Sequence, residues 1–313
     1  MNKSTVTIIA EDKTEILLKV SLAAAEKPLG SVVIIHDATD HSERYSEFID
    51  FLNDNSFDAY IYDLRGHGRD IKFELLGSIK ERGGHKLLVS DALHVLTYVH
   101  DNNRGRKLVL LGQGFGSVIG QNAIGLCDHP DVCIFCGTPY ISSIKGCFKS
   151  FLIGLVGIFK GKSHYSPYLS RLMNEHKDFS AISNRTAYDW LSRDNAVVGL
   201  YINDSLTGFT CTTAYYADMH KLTQNACSPS GIKRIQRDMK IVFMSGSHDP
   251  VSGYGQGVTA LFNLYQKLGF TEADCIIYDE ARHELLHEIC KDEVMKDILS
   301  IIGNPTGNQR KPD

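Results

Sequence analysis

The sequence lacks any apolar run long enough to cross a membrane. No stretch approaches the roughly 18 consecutive apolar residues that a spanning helix needs, and the first residues contain no apolar segment typical of a signal peptide. We therefore expect a cytoplasmic protein.

The chain also carries little net charge. The formal value is -4 at pH 7, and no long basic stretch is present, so the charge pattern gives no reason to expect a nucleic-acid partner. The eight cysteines are dispersed, which favours reduced thiols over a disulfide framework. Cys133 and Cys136 have the spacing of a redox or metal pair, but they lie in an apolar segment that reads as a buried strand.

Apolar runs suited to buried strands alternate with helical patterns along most of the 313 residues. This alternation predicts a doubly wound, mostly parallel sheet that is covered by helices on both faces. The predicted strands are 31–36, 58–63, 107–111, 132–136, 240–245 and 274–278, and the predicted helices are 43–55, 86–102, 258–268 and a segment after residue 283.

One interval departs from this alternation of strands and helices. Residues 142–237 are rich in helical patterns and in apolar or aromatic clusters, which indicates a helical cap inserted into the core. The predicted organisation is a core formed by 1–141 and 238–303, this cap, and a disordered tail over 304–313.

An apolar strand from Leu108 runs into a Gly112-x-Gly114-x-Gly116 turn that opens a helix. In the G-x-S-x-G nucleophile elbow, the central residue lies on a strained turn that exposes its side chain above a parallel sheet. Here that residue is Gly114, which has no side chain. An acyl-enzyme cannot form at this position.

Several further segments carry a resemblance to a known family, and they follow one another in the family's order. They are Ile35-His36-Asp37-Ala38-Thr39-Asp40-His41-Ser42-Glu43-Arg44-Tyr45, Asp63-Leu64-Arg65-Gly66-His67-Gly68, Cys136-Gly137-Thr138-Pro139, Trp190-Leu191-Ser192-Arg193-Asp194, Gly246-Ser247-His248-Asp249-Pro250-Val251 and Ala281-Arg282-His283-Glu284. Together with the elbow, they resemble the α/β-hydrolases of the monoacylglycerol lipase, lysophospholipase and serine aminopeptidase S33 type. The resemblance implies the α/β-hydrolase fold with an inserted helical cap and a carboxylic ester hydrolase scaffold.

The chain order matches the catalytic positions of this fold, because Gly114, Asp249 and His283 each follow a predicted strand in the order nucleophile, acid and base. Two of the three positions are filled. The oxyanion hole would use the backbone N–H groups of Phe115 and Ala38.

Two more departures from the family lie beside this site. Asp37 stands where the family has glycine, and its carboxylate would repel a developing oxyanion if it pointed inward. Gln113 stands where histidine is common. Such clustering favours natural divergence over a single engineered change at Gly114.

Three functions remain open. In the first, the scaffold has lost serine-dependent hydrolysis and keeps a pocket for an acyl or lipid ligand. In the second, the His283 and Asp249 pair acts as a general base on water or substrate. In the third, His283, Glu284 and His287, which match H-E-x-x-H, hold a catalytic zinc. We expect no cofactor under the first two.

The apolar segment from Lys145 to Lys160 also has two interpretations. The resemblance implies a cap element that lines an acyl channel and contacts a membrane surface, whereas the alternative is a helix buried against the core.

Overall fold

An eight-stranded, mostly parallel sheet forms the centre of the structure, a computed structural model that describes residues 2–174 and 185–303. The strand order is β1-β2-β4-β3-β5-β6-β7-β8, with β1 and β2 antiparallel to their neighbours and the remaining pairs parallel. The strands are β1 Asn2–Ile9, β2 Glu15–Leu22, β3 Gly30–Ile35, β4 Phe57–Tyr62, β5 Lys107–Gln113, β6 Val132–Cys136, β7 Lys240–Gly246 and β8 Ala273–Tyr278. The predicted fold class is confirmed.

The parallel strands β3 to β8 coincide with the predicted strands to within two residues. The antiparallel pair β1 and β2 was not predicted, because neither strand is a continuous apolar run. Along β2 buried positions alternate with more exposed ones, as expected for a strand with only one face on the core.

Helices cover both faces of the sheet. Successive residues of each strand point to opposite faces, so Val33 and Ile35 pack with one layer of helices and Val32 and Ile34 with the other. The first layer contains α2 Gly84–Asn102, α3 Phe115–Ala123 and α9 Gln256–Lys267, and the second contains α1 Ser46–Asp54 and α10 Lys291–Gly303.

Between β6 and β7 the described residues form α4 Ser143–Lys160, α5 Pro167–Asn174, α6 Asn195–Asn203, α7 Thr213–Ala226 and α8 Pro229–Ile232. Helix α4 is continuous, and it exposes Phe148, Phe151, Ile158 and Phe159 while Ile153 is buried. In the described ranges no helix is long and apolar enough to cross a bilayer. Residues 304–313, predicted to be a disordered tail, lie outside the described residues.

The two cysteines of β6 do not form a joint site. Cys133 packs in the core on one face of the sheet and Cys136 on the other. Burial raises the pKa of the Cys136 thiol to about 12, so this thiol stays protonated at neutral pH. The geometry therefore agrees with a structural interpretation of both residues.

Two buried histidines tie the loop after β3 to the loop after β4. His67 accepts a hydrogen bond at Nε2 from the Thr39 backbone N–H (3.0 Å), and its Nδ1–H donates to the Arg65 carbonyl (3.0 Å). His36 accepts at Nε2 from the Leu64 N–H (2.9 Å) and donates from Nδ1 to the carbonyl of Asp37 (2.7 Å). These bonds determine the path of the chain at Asp37.

The burial of His67 predicts that the stability of the protein decreases in acid. Burial lowers the pKa of His67 to about 3, against about 6.5 in an unfolded chain. Unfolding therefore takes up a proton between these values, and the contribution of His67 to stability is lost as pH falls from about 6.5 towards 3, at no more than about 1.4 kcal/mol per pH unit. In a His67→Gln variant, the free energy of unfolding should drop less between about pH 7 and about pH 5 than in the wild type, as measured by urea unfolding. Equal drops in the two proteins would contradict the assignment.

Candidate active site

The residues predicted to carry chemistry converge at one edge of the sheet. Asp37 follows β3, Gly114 follows β5, Asp249 follows β7 and His283 follows β8. Because these strands are parallel, their carboxyl ends meet at the same edge. The chain reverses its direction across the sheet between β3 and β5, and such a switch point leaves a crevice for a ligand.

The turn between β5 and α3 has the backbone of a strained elbow. Gly114 adopts φ 51° and ψ -116°, a conformation that side-chain-bearing residues rarely adopt. Its N–H donates to the Cys136 carbonyl at 2.8 Å. A Cβ atom at Gly116 would lie 2.1 Å from the Ile35 carbonyl oxygen, so glycine there allows α3 to approach β3 closely.

The Asp37 carboxylate occupies the space in which a side chain at position 114 would begin. A Cβ atom on Gly114 would lie 2.1 Å from Cγ of Asp37 and 2.2 and 2.3 Å from its two carboxylate oxygens. The carboxylate therefore points into the site, which is the orientation the sequence left open.

The same carboxylate accepts hydrogen bonds from both backbone N–H groups that were predicted to form the oxyanion hole. Oδ1 of Asp37 accepts hydrogen bonds from the backbone N–H groups of Phe115 (2.5 Å) and Ala38 (2.7 Å). Oδ2 lies 2.9 Å from Nε2 of His283. A hole of this kind stabilises negative charge on oxygen, and here that charge comes from the protein itself.

His283 lies between two carboxylates. Its Nδ1 is 3.1 Å from each oxygen of Asp249, a fully buried residue that also accepts from the Val251 N–H at 2.8 Å. Burial alone would lower the pKa of His283, but Asp249 and Asp37 outweigh burial and raise it well above its usual value. Both ring nitrogens therefore carry a proton at neutral pH, and in this state the imidazole cannot accept one from water.

Gln113 and Ser117 have supporting contacts. The buried amide of Gln113 donates to the backbone carbonyl of His283 at 3.0 Å, so the residue anchors the loop that carries His283. The Ser117 hydroxyl donates to the Gly114 carbonyl at 2.6 Å. This bond directs it away from the Asp37 carboxylate, and it is not placed as a substitute nucleophile.

The zinc alternative is not supported by the geometry. The H-E-x-x-H segment does not form the regular helix that would put both histidines on one face, since only Leu285–His287 form a single 3₁₀ turn. Glu284 pairs with both terminal nitrogens of Arg44 at 2.7 and 2.5 Å, and Nε2 of His287 donates to the Arg44 carbonyl at 2.9 Å. Across the described residues, no group of three His, Cys, Asp or Glu side chains is arranged to hold a metal ion.

Sequence reasoning missed a buried ion network beside His283. Arg44 pairs with Glu284 and with Asp40 (2.9 Å), and its guanidinium lies 4.9 Å from the ring centre of Tyr201 on α6. Burial opposes ionisation of Glu284, but Arg44 holds its pKa far below the usual range. The opposite charges of Asp40 and Arg44, four residues apart, were the available signal. The network links Glu284, the residue next to His283, to α6, a helix between β6 and β7.

Comparison with known proteins agrees with this architecture. The family model described as "Serine aminopeptidase, S33" matches residues 26–289. One similar solved structure is a highly thermostable carboxyl esterase from Bacillus coagulans in complex with glycerol, with 21% sequence identity, a TM-score of 0.82, and coverage of 97% of this chain and 98% of that chain. Another is a lipase in an open form, with 20% identity, a TM-score of 0.84, and coverage of 96% of this chain and 98% of that chain. A soluble variant of the monoglyceride lipase from Saccharomyces cerevisiae in complex with a substrate analogue is similar as well, with 14% identity, a TM-score of 0.75, and coverage of 99% of this chain and 97% of that chain. A search of curated protein sequences finds no match.

The packing of Asp37 against Gly114 predicts an energetic coupling between the two positions. Gly114→Ala should destabilise the protein through both backbone strain and the clash with the carboxylate, each costing about 1–3 kcal/mol. In an Asp37→Gly background only the strain remains, so the cost should fall by about 1–3 kcal/mol. Urea unfolding of the wild type, both single variants and the double variant measures this coupling. Additive effects would show that the carboxylate does not occupy this space.

Proposed function

Because the chain belongs to the serine aminopeptidase S33 family of α/β-hydrolases, we propose that it is an ester hydrolase scaffold that has lost serine-dependent hydrolysis. In this proposal Gly114 stands at the position of the nucleophilic serine, with Asp249 and His283 at the acid and base positions. The observation that carries the proposal is the Asp37 carboxylate, which lies against Gly114 and accepts both oxyanion-hole N–H groups.

Two steps of serine catalysis are blocked at once. Gly114 has no hydroxyl to form an acyl-enzyme. A substrate carbonyl oxygen would also have to displace Oδ1 of Asp37 from the N–H groups of Phe115 and Ala38, and the charge that develops on it would lie beside a carboxylate. The loss therefore involves two positions that contact each other.

The general-base alternative is less well supported. It requires a neutral Nε2 on His283, whereas Asp37 and Asp249 hold the ring in its protonated form. A base that is already protonated at neutral pH cannot activate water until one of its carboxylate partners loses its charge or moves.

A small acyl or lipid molecule is the ligand class that we propose for the site. Two aromatic rings pack beside its residues: Trp190 lies 5.2 Å from the ring of His283, and Tyr215 lies 6.1 Å from the ring of Phe115, both measured between ring centres. Apolar walls with a few polar groups are typical of small-molecule sites. Two of the similar solved structures hold small molecules, glycerol in one and a substrate analogue in the other, which supports a small-molecule ligand.

We also propose that α4 contacts a lipid surface. Four large apolar side chains of this helix are between 62% and 79% exposed: Phe148, Phe151, Ile158 and Phe159. Their positions place them along one side of the helix, with a lysine at its end, Lys160. Apolar residues flanked by lysine are typical of helices that lie in the membrane interface.

Restoring both altered positions tests the loss of serine hydrolysis. We expect a Gly114→Ser, Asp37→Gly double variant to hydrolyse p-nitrophenyl esters at least about 10²-fold faster than the wild type, which is the lower end of the factor that a positioned general base supplies. Gly114→Ser alone should stay inactive, because its Cβ atom meets the Asp37 carboxylate. A fluorophosphonate probe should label only the double variant.

Adding His283→Ala to the double variant is the matched control, and it should return hydrolysis to the wild-type rate. The proposal is wrong if the wild type itself turns over these esters and loses that activity on His283→Ala. If Gly114→Ser alone hydrolyses the esters as fast as the double variant, the Asp37 carboxylate does not block hydrolysis.

The lipid contact is tested with sedimentation of phosphatidylcholine and phosphatidylserine vesicles. Phe151→Asp with Phe159→Asp should weaken binding by about 10-fold or more, because each buried aromatic side chain is worth about 1.5–3 kcal/mol. Ile9→Asp is the control, since Ile9 is 57% exposed on β1. Equal binding of all three proteins would rule out α4 as the contact.

A further inference from the structure

We propose that the protein has a second ligand site, in a cleft between helices α2, α3, α7 and α8, and that this site binds a single-chain lipid with an anionic head, such as a fatty acid. The cleft has a volume of about 750 Å³, which lies within the range of roughly 300–1,000 Å³ that is typical of small-molecule sites. The residues that line it are different from those around Asp37. The inference therefore goes beyond the proposed function and does not depend on it.

The base of the cleft is formed by polar groups that hold one another in place. Gln121 lies two turns after Gly114 along α3, about 10 Å further along the helix axis. Its amide donates to the Ser117 carbonyl at 3.2 Å and accepts from the hydroxyl of Tyr265 on α9 at 3.0 Å. Gln121 and Tyr265 are buried and line the cleft. The cleft therefore has a defined base that is separate from the crevice above the sheet.

The walls of the cleft are largely apolar. Val89 and Leu93 line it from α2, Leu222 lines it from α7, and Ile235 lines it just after α8. Leu126, which follows α3, also lines the cleft and is 61% exposed to solvent. An alkyl chain that covers these side chains removes apolar surface from water, which favours binding. The walls therefore suit the hydrocarbon part of a lipid.

Three cationic side chains from three different segments border the same cleft. They are Lys86 on α2, Lys221 on α7 and Arg234 just after α8, and all three are exposed. Within residues 2–174 and 185–303, none of the three forms an ion pair with a carboxylate. The chain as a whole has a formal charge of -4, so this concentration of unpaired positive charge is a local feature. It complements an anionic head and disfavours a cationic one.

A histidine that is oriented by a carboxylate adds a further donor to this cationic border. His85 lines the cleft, and its Nδ1 lies 2.6 Å from Oδ1 of Asp218, a buried residue of α7. In the part of the chain that the structure describes, Nε2 of His85 makes no hydrogen bond. The protonated ring donates from both nitrogens, so Nε2 can donate to an anionic head while Nδ1 stays on Asp218. Asp218 thus orients His85 and is itself already paired.

Isothermal titration calorimetry of the full-length protein with decanoate tests the role of charge. Decanoate should bind, and decan-1-ol, which has the same chain length but no charge, should bind at least about 10-fold more weakly. Lys86→Glu with Lys221→Glu should weaken decanoate binding by about 10-fold or more, because two attractive charges become repulsive. Lys27→Glu with Lys296→Glu is the matched control, since both lysines are exposed outside the cleft and the change in net charge is the same. This control should bind like the wild type.

The contribution of the alkyl chain is tested at Leu126. Leu126→Asp should weaken decanoate binding by about 10-fold or more, because covering a leucine side chain is worth about 1.5–3 kcal/mol and each 1.4 kcal/mol is tenfold in affinity. Ile9→Asp is the matched control, since Ile9 is 57% exposed on β1, and it should bind like the wild type. Circular dichroism melting confirms that each variant is folded.

Photolabelling with a diazirine-bearing fatty acid shows where the ligand lies. Peptide mass spectrometry should find the label on residues 84–102 and 213–235, which carry the walls of the cleft. Label confined to the loops of Asp37, Gly114 and His283 would overturn the inference and leave the acyl ligand of the proposed function in place. The inference is also wrong if decanoate does not bind, if decan-1-ol binds equally well, or if the cleft variants bind like their controls.

Discussion

The pairing of one carboxylate with two backbone N–H groups and an imidazolium organises the whole site. The Asp37 side chain lies against Gly114, takes the N–H groups of Phe115 and Ala38, and meets Nε2 of His283. Two of these partners are backbone N–H groups, which do not depend on the identity of the side chains at positions 38 and 115. The carboxylate therefore fills the space beside Gly114 in which a side chain at that position would begin.

The surroundings of Asp37 are rigid for reasons that can be traced to particular residues. His36 and His67 accept backbone N–H groups of the neighbouring loops, and so determine the direction in which the chain leaves β3. Gln113 and the Arg44–Glu284 pair hold the backbone around His283 from two sides. A buried charge of this kind is retained when it is fully paired, since an unpaired one costs several kcal/mol. The guanidinium of Arg44 also lies against the ring of Tyr201 on α6, so this helix and the loop that carries His283 share one electrostatic network.

Much of the fold could be predicted from the pattern of residues. The parallel strands β3 to β7 are buried on both faces, and continuous apolar runs of this kind are visible in the sequence. The antiparallel strands β1 and β2 were missed because their apolar residues alternate with polar ones, as along β2, where buried positions alternate with more exposed ones. The site residues were placed by their position after a strand, since parallel strands bring their carboxyl ends together. The H-E-x-x-H alternative could not be judged from the sequence, because a five-residue pattern does not report whether its backbone is helical, and here Arg44 pairs with the glutamate.

The sequence by itself determined the order of the parallel strands β3 to β8 along the chain, the family scaffold, and the absence of a side chain at Gly114, because these follow from residue identity and local pattern. What only the tertiary structure decided is the direction of the Asp37 side chain and the protonation of His283. Both depend on groups far apart in the sequence, from residue 37 to residue 283, whose distances are set by the packing of β3, β5, β7 and β8. Electrostatic interactions change with separation and burial, so the charge state of the site could be read only once these elements were assembled.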